Sequence, residues 1–147
     1  MKAFTAYQPY AYAIIEGLKL NETRPRRTRI RGRVAVHAAK LDAWKSGILE
    51  AGTMPEIEKI LSDHQGTGNR AANLVYGAVL GTVEIVDCVP VEEIIHTLSE
   101  REKALGDYSP GRFAWVMKNP VAFSMPVPAK GKQGWWNWDE IGEMRKT

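Results

Sequence analysis

The chain has 147 residues, 44% of them hydrophobic and 25% charged, and a formal net charge of +3. This is the composition of an ordinary globular domain, and it argues against intrinsic disorder, low-complexity repeats or two separate cores. Charge is unevenly placed: Lys19, Arg24, Arg26, Arg27, Arg29, Arg31 and Arg33 fall within fifteen positions beside one acid, Glu22. The rest of the chain is slightly acidic, and a basic patch on such a body suits a polyanionic partner.

The elements follow in chain order. "QPYAYAIIEG" predicts a short helix, with Pro9 in its first turn and Gly17 as its stop. After a turn at "RPRR", the alternation in "TRIRGRVAVHA" predicts a strand. That strand would carry Arg29, Arg31, Arg33, Ala35 and His37 on one face and Ile30, Gly32, Val34 and Val36 on the other. Leu41, Trp44 and Ile48 stand at helical spacing. "TMPEIEKILSD" opens with Thr53 and Glu56 in capping-box positions and turns Ile57, Ile60 and Leu61 inward. Residues 64–73 read as a polar loop. "GAVLGTVEIVDCVPV" predicts a long strand with Gly81 at a bend, and "VEEIIHTLSEREKALG" a helix ending at Gly106. "GRFAWVMKN" alternates as a strand, and "AFSMPVPAKGKQGWWNW" holds one or two more, broken by prolines. The expectation is one α+β domain over residues 1–147, with a helical insertion at about 41–73.

Cys88 is the only cysteine, so an intrachain disulfide is excluded. No run approaches the ~18 apolar residues of a membrane span, and the N-terminus lacks a signal-peptide core. These features predict a cytoplasmic protein without membrane contact.

Three separated pieces carry a resemblance to one family. Gly17, Lys19, Glu22 and Arg24 form G-x-K-x-x-E-x-R, followed by Arg31-Gly32-Arg33. "GAVLGTVEIVDC" is similar to that family's central strand, and "GRFAWVMKNPVAFSMPVPAKGKQGWWNW" to its closing motif. Together they resemble the ASCH domain (activating signal cointegrator homology) from about Gln8 to Trp138. The resemblance implies a small PUA-like mixed β-barrel with flanking helices. It also implies RNA or a modified nucleobase bound in a cleft beside the first helix, with some bacterial members acting as small hydrolases.

Several residues are candidates for a site. Arginine's planar fork suits bidentate phosphate contact, so Arg29, Arg31 and Arg33 are candidate backbone contacts; the alternative is a solvated, charge-protected edge strand. Lys19, Glu22 and Arg24 are either a surface ion cluster or the floor of the cleft. If catalytic, Lys19 would be the base and Glu22 its partner. In the amidohydrolase relatives a threonine stands where Glu22 does, and a downstream glutamate takes part, for which Glu84, Glu100 and Glu102 are possible counterparts. Tyr10 and Tyr108 flank the matched motifs as stacking candidates, whereas Phe113 and Trp115 read as core. Trp135 and Trp136 cannot both point inward from a strand, so one is partly exposed. His37, His64 and His96 are far apart with no metal-ligand spacing, and no metal or cofactor is predicted. His37 on the arginine face is a further acid–base candidate for RNA cleavage.

The reading is an RNA- or nucleotide-binding domain that takes a nucleobase into a basic cleft. Glu22 would accept from an exocyclic amino group. One alternative is a metal-independent hydrolase using the same cleft, either a ribonuclease on single-stranded RNA or an N4-acetylcytidine amidohydrolase. The other is a protein-interaction module meeting an acidic partner. Oligomeric state is not readable from the sequence.

Overall fold

A computed structural model describes residues 1–49, 51–65 and 74–139. Six strands, β1 (Lys2–Ala6), β2 (Asn21–Arg24), β3 (Gly32–Ala38), β4 (Ala78–Pro90), β5 (Phe113–Pro128) and β6 (Trp136–Asn137), form one sheet in the order β2-β5-β4-β3-β1-β6. β1 runs parallel to β3, and the other neighbours are antiparallel. Helices α1 (Tyr10–Ile15), α2 (Met54–Gln65), α3 (Val91–Ile94) and α4 (Glu100–Ala104) complete a mixed α+β fold, as expected. The outer strands β2 and β6 are only four and two residues long and do not pair with each other. Among the described residues the sheet is therefore open, without the closure a barrel requires. No described helix is long and apolar enough to cross a membrane.

Strand alternation places a core on each face of the sheet. Phe4, Val34, Val36, Val83 and Ile85 pack under Ala11, Ile14 and Ile15 of α1. Ala3 and Ala35, one residue out of phase, and Val79, turned over by the register shift between Val79 and Gly81, pack under Val127, Trp136 and Trp138. Gln8, itself buried, secures the start of α1 by accepting from Tyr12 N at 2.9 Å and donating to Val75 O at 2.8 Å. Gly17 ends α1 at φ +76°, and Leu18 N and Lys19 N both donate to Ala13 O. α2 of the insertion turns Ile57 and Leu61 onto Ala13, Leu18 and Leu105.

Four expectations need correction. β1 was not anticipated, because "KAFTA" is short and poor in β-branched residues. Residues 41–49 do not form the expected helix. Asp42 Oδ1 caps one turn by accepting from Trp44 N and Lys45 N at 3.1 Å each, but Gly47 at φ +82° ends it there, so the segment folds as turns. Leu41 and Ile48 remain exposed. The single helix expected after β4 is α3, a 3₁₀ turn (Ile95–Thr97) and α4, which Ser99 caps by accepting from Glu102 N. The prolines do not break β5: β2 covers only its first residues, so the remainder is an edge where a missing N–H costs little. The polar loop expected at 64–73 lies, from residue 66 on, outside the described residues.

Gly81 fills the bend role assigned to it. The register of β4 against β5 shifts between Val79 and Gly81, and a Cβ at Gly81 would lie 2.1 Å from Val121 O. Only glycine admits that approach.

Candidate functional site

The turn after Gly17 drives Lys19 inward instead of continuing β2 backwards. Its side chain is 3% exposed; Nζ donates to Leu105 O at 2.7 Å and stands 3.8 Å from Glu22 Oε1. The close pass at Gly106 makes room for it, since a Cβ there would meet Nζ at 3.3 Å. Burial holds the Lys19 ammonium below the usual lysine range. Glu22 and Glu102 oppose that shift, and Arg24 and Arg112 add to it. A strict strand would have separated Lys19 from Glu22; the turn brings them together.

On β2, Glu22 and Arg24 share a face. Arg24 Nε and Nη2 both donate to Glu22 Oε2, at 2.9 and 2.7 Å, and Nη2 also donates to Thr5 O at 2.8 Å. The guanidinium lies 5.4 Å from the Trp115 ring centroid and 5.8 Å from that of Phe4. Glu22 Oε1 accepts no hydrogen bond among the described residues, which leaves one oxygen for a ligand donor. Tyr10 completes this corner, with Lys19 Nζ 5.8 Å from its ring centre. Burial, and secondarily Glu22, pushes the Tyr10 phenol up.

These residues form the floor of a cleft of about 1950 Å³. Basic side chains from four parts of the chain line it: Arg26 and Arg27 after β2, Lys40 after β3, Arg112 before β5, and Lys130 and Lys132 after β5. Glu22 and Asp107 are the acids in its lining. Ser109 donates to Asp107 from its hydroxyl and its N–H, which holds the Asp107 carboxyl below its usual range.

His37 lies at the far end of the cleft, 2% exposed, not on an open arginine face. Its Nε2 stands 2.7 Å from Ala129 O, so this nitrogen carries the proton and donates. Nδ1 faces Thr5 Oγ1 at 3.2 Å. Burial lowers the imidazole's pKa, against the pull of that backbone bond.

Not all of the candidates gather here. β3 begins only at Gly32, so Arg29 and Arg31 precede the strand and the evenly spaced row does not form. Arg33 is held on the sheet surface by Glu84 Oε1 at 3.0 Å, Thr82 Oγ1 at 2.7 Å and Asn119 O at 3.1 Å, away from the cleft. Tyr108 is buried, packed with Val91 and Ala114, and does not line the cleft. Its hydroxyl donates to Glu102 Oε2 at 3.0 Å and accepts from Asn21 Nδ2 at 3.1 Å, and burial pushes its ionisation upward.

Glu102 also accepts from Leu20 N at 2.8 Å and Asn21 N at 3.2 Å, so it braces the Lys19 turn from below. Of the other two candidate glutamates, Glu84 pairs with Arg33 and Glu100 with Lys103. Arg26, Arg27, Lys130 and Lys132 join the cleft lining without having been among the candidates, although "RPRR" and "KGK" are basic pairs in the sequence. Trp135, not Trp136, is the partly exposed indole, and it lines the cleft stacked on Trp115 at 5.0 Å and 12°.

A family model described as the ASCH domain matches residues 5–127. The chain belongs to the ASCH domain family. Solved structures agree on the fold. Two crystal structures of ASCH from Zymomonas mobilis, one of them a point mutant, superpose with a TM-score of 0.54 at 14% identity. They cover 99% of this chain, which in turn covers 91% and 94% of theirs. No curated protein sequence matches the chain. Among the described residues, no cluster of histidine, cysteine or carboxylate side chains is arranged to hold a metal ion.

Proposed function

We propose that this ASCH domain binds RNA or a nucleotide unit, with a nucleobase seated on the Lys19–Glu22–Arg24 floor and phosphates held by the rim. One observation carries the reading: the cleft pairs a cationic edge with an interior carboxylate oxygen that accepts no hydrogen bond among the described residues. Its volume exceeds the roughly 300–1,000 Å³ of small-ligand sites, which favours a strand over an isolated nucleoside. Glu22 Oε1 suits an exocyclic amino group, Lys19 Nζ an adjacent carbonyl or ring nitrogen, and Tyr10 and Trp135 offer faces for stacking.

The depressed pKa of Lys19 supports a second, catalytic reading of the same floor. Deprotonated Lys19 would take a proton from a ribose 2′-OH, or from water attacking the acyl carbon of an acylated exocyclic amine. Incubating the protein with labelled single-stranded RNA and with N4-acetylcytidine separates the two readings. Binding without product in wild type supports the binding module. Product lost in Lys19→Ala supports the enzyme. No binding to either ligand at low salt refutes both.

A further inference from the structure

The loop between β2 and β3 has two sides, and only one of them faces the cleft. On the other side Arg27, Thr28, Arg29, Arg31 and Cys88 surround a separate hollow of about 420 Å³. Two indoles hold the loop in this shape. Trp115 Nε1 donates to Arg26 O and Trp135 Nε1 to Thr28 Oγ1, both at 3.0 Å. Thr28 N points at Cys88 Sγ at 3.4 Å, and Arg31 Nη1 donates to Thr28 O and Ile30 O. Three arginines thus border one hollow, and among the described residues the carboxylate paired with any of them is Asp87, 3.9 Å from Arg31 and itself well exposed. Arg29 makes no contact with any acid among the described residues. Arg27 lines both hollows, with its guanidinium 4.5 Å from the Phe113 ring centre.

Gathering like charges around a concavity costs free energy unless an anion offsets them. We infer that this hollow is a second phosphate subsite, occupied by a phosphodiester of the same strand that enters the cleft, with Arg27 as the bridge. The inference rests on the reading of the cleft as a nucleic-acid site and adds its direction: the strand leaves across the arginine loop. Arg29 and Arg31 then serve as phosphate ligands outside the cleft.

Cys88 gives this hollow its own reporter, because it is the sole thiol and lines this hollow but not the cleft. Its alkylation by a neutral maleimide is followed with added octameric single-stranded RNA, with inorganic pyrophosphate, and with sodium chloride at matched ionic strength. Tryptophan fluorescence reports the cleft in the same samples, since Trp115 and Trp135 line it. The expected result is alkylation about tenfold slower with RNA at ten times its Kd, slowing with pyrophosphate beyond the chloride control, and quenched fluorescence with RNA. Arg29→Ala plus Arg31→Ala should abolish the protection and reduce the salt dependence of RNA affinity by a slope of about 1.4. Arg29→Ala alone, which removes no bond within the protein, should give half that change. RNA that quenches the tryptophans yet leaves Cys88 at its free rate overturns the second subsite and spares the cleft. Protection without quenching sinks the cleft reading instead, and with it the shared strand. Protection by pyrophosphate but not by bound RNA also overturns the inference, because the hollow would then take a free anion.

Discussion

Replacing Tyr108 by phenylalanine separates a structural tyrosine from a ligand-stacking one. The ring stays, so the packing against Val91 and Ala114 is kept, and only the hydroxyl is lost. That hydroxyl links Asn21 Nδ2 to Glu102 Oε2 in a buried setting. Losing a donor to a carboxylate costs about 1.5–3 kcal/mol, and leaving the Asn21 amide unpaired adds roughly 1 kcal/mol. The total of about 2.5–4 kcal/mol corresponds to a fall in Tm of about 5–15 °C in a domain of this size. Because the phenol's ionisation is pushed up, the loss should be the same at pH 7 and pH 9. Thermal unfolding by circular dichroism measures the stability change, and RNA affinity is measured well below the new Tm. Unchanged Tm with weakened RNA binding would refute the structural assignment and return Tyr108 to the ligand.

Four further outcomes follow. Lys19→Met should abolish any turnover and change how stability depends on pH. The folded pKa of Lys19 is depressed, so its burial penalty is complete below that pKa and vanishes above the unfolded value of 10.5. Wild type should therefore gain stability relative to the variant as pH rises toward 10.5, as denaturant titrations across pH would show. Arg26→Ala plus Arg27→Ala should lower the salt slope of RNA binding by about 1.4 with little change in Tm. Arg33→Ala should do the reverse, costing about 1 kcal/mol of stability and leaving RNA affinity intact, since its partners are Glu84, Thr82 and Asn119. Gly81→Ala should destabilise the fold by about 3 kcal/mol or more in urea unfolding, because the new methyl meets the Val121 carbonyl.

Much of the fold was legible because periodicity is a local signal. The apolar run of β4, the alternation in the first part of β5, the stop at Gly17 and the inward stripe of α2 all follow from residues close in sequence. β1 depends instead on a parallel partner thirty-two positions away, Ala3 opposite Ala35, which no local pattern encodes. The spacing of Leu41, Trp44 and Ile48 mimicked a helix, but Gly47 at φ +82° turns the chain away after the single turn that Asp42 caps.

The site shows the same division. Lys19, Glu22, Arg24 and Tyr10 converge where their motif suggested, with the Gly17 turn resolving which way Lys19 faces. The arginine row failed because alternation assigns faces only inside a strand, and β3 starts at Gly32. Lys130 and Lys132 reach the rim through the chain's return after β5, a tertiary event that the "KGK" spacing does not contain.

The most direct test of the basic cleft is a titration of wild-type protein with single-stranded RNA across a salt series, followed by tryptophan fluorescence. The account predicts quenching that saturates, with an affinity that falls linearly in log salt and a slope matching several phosphate contacts. A flat salt response, or no quenching at low salt, would contradict it.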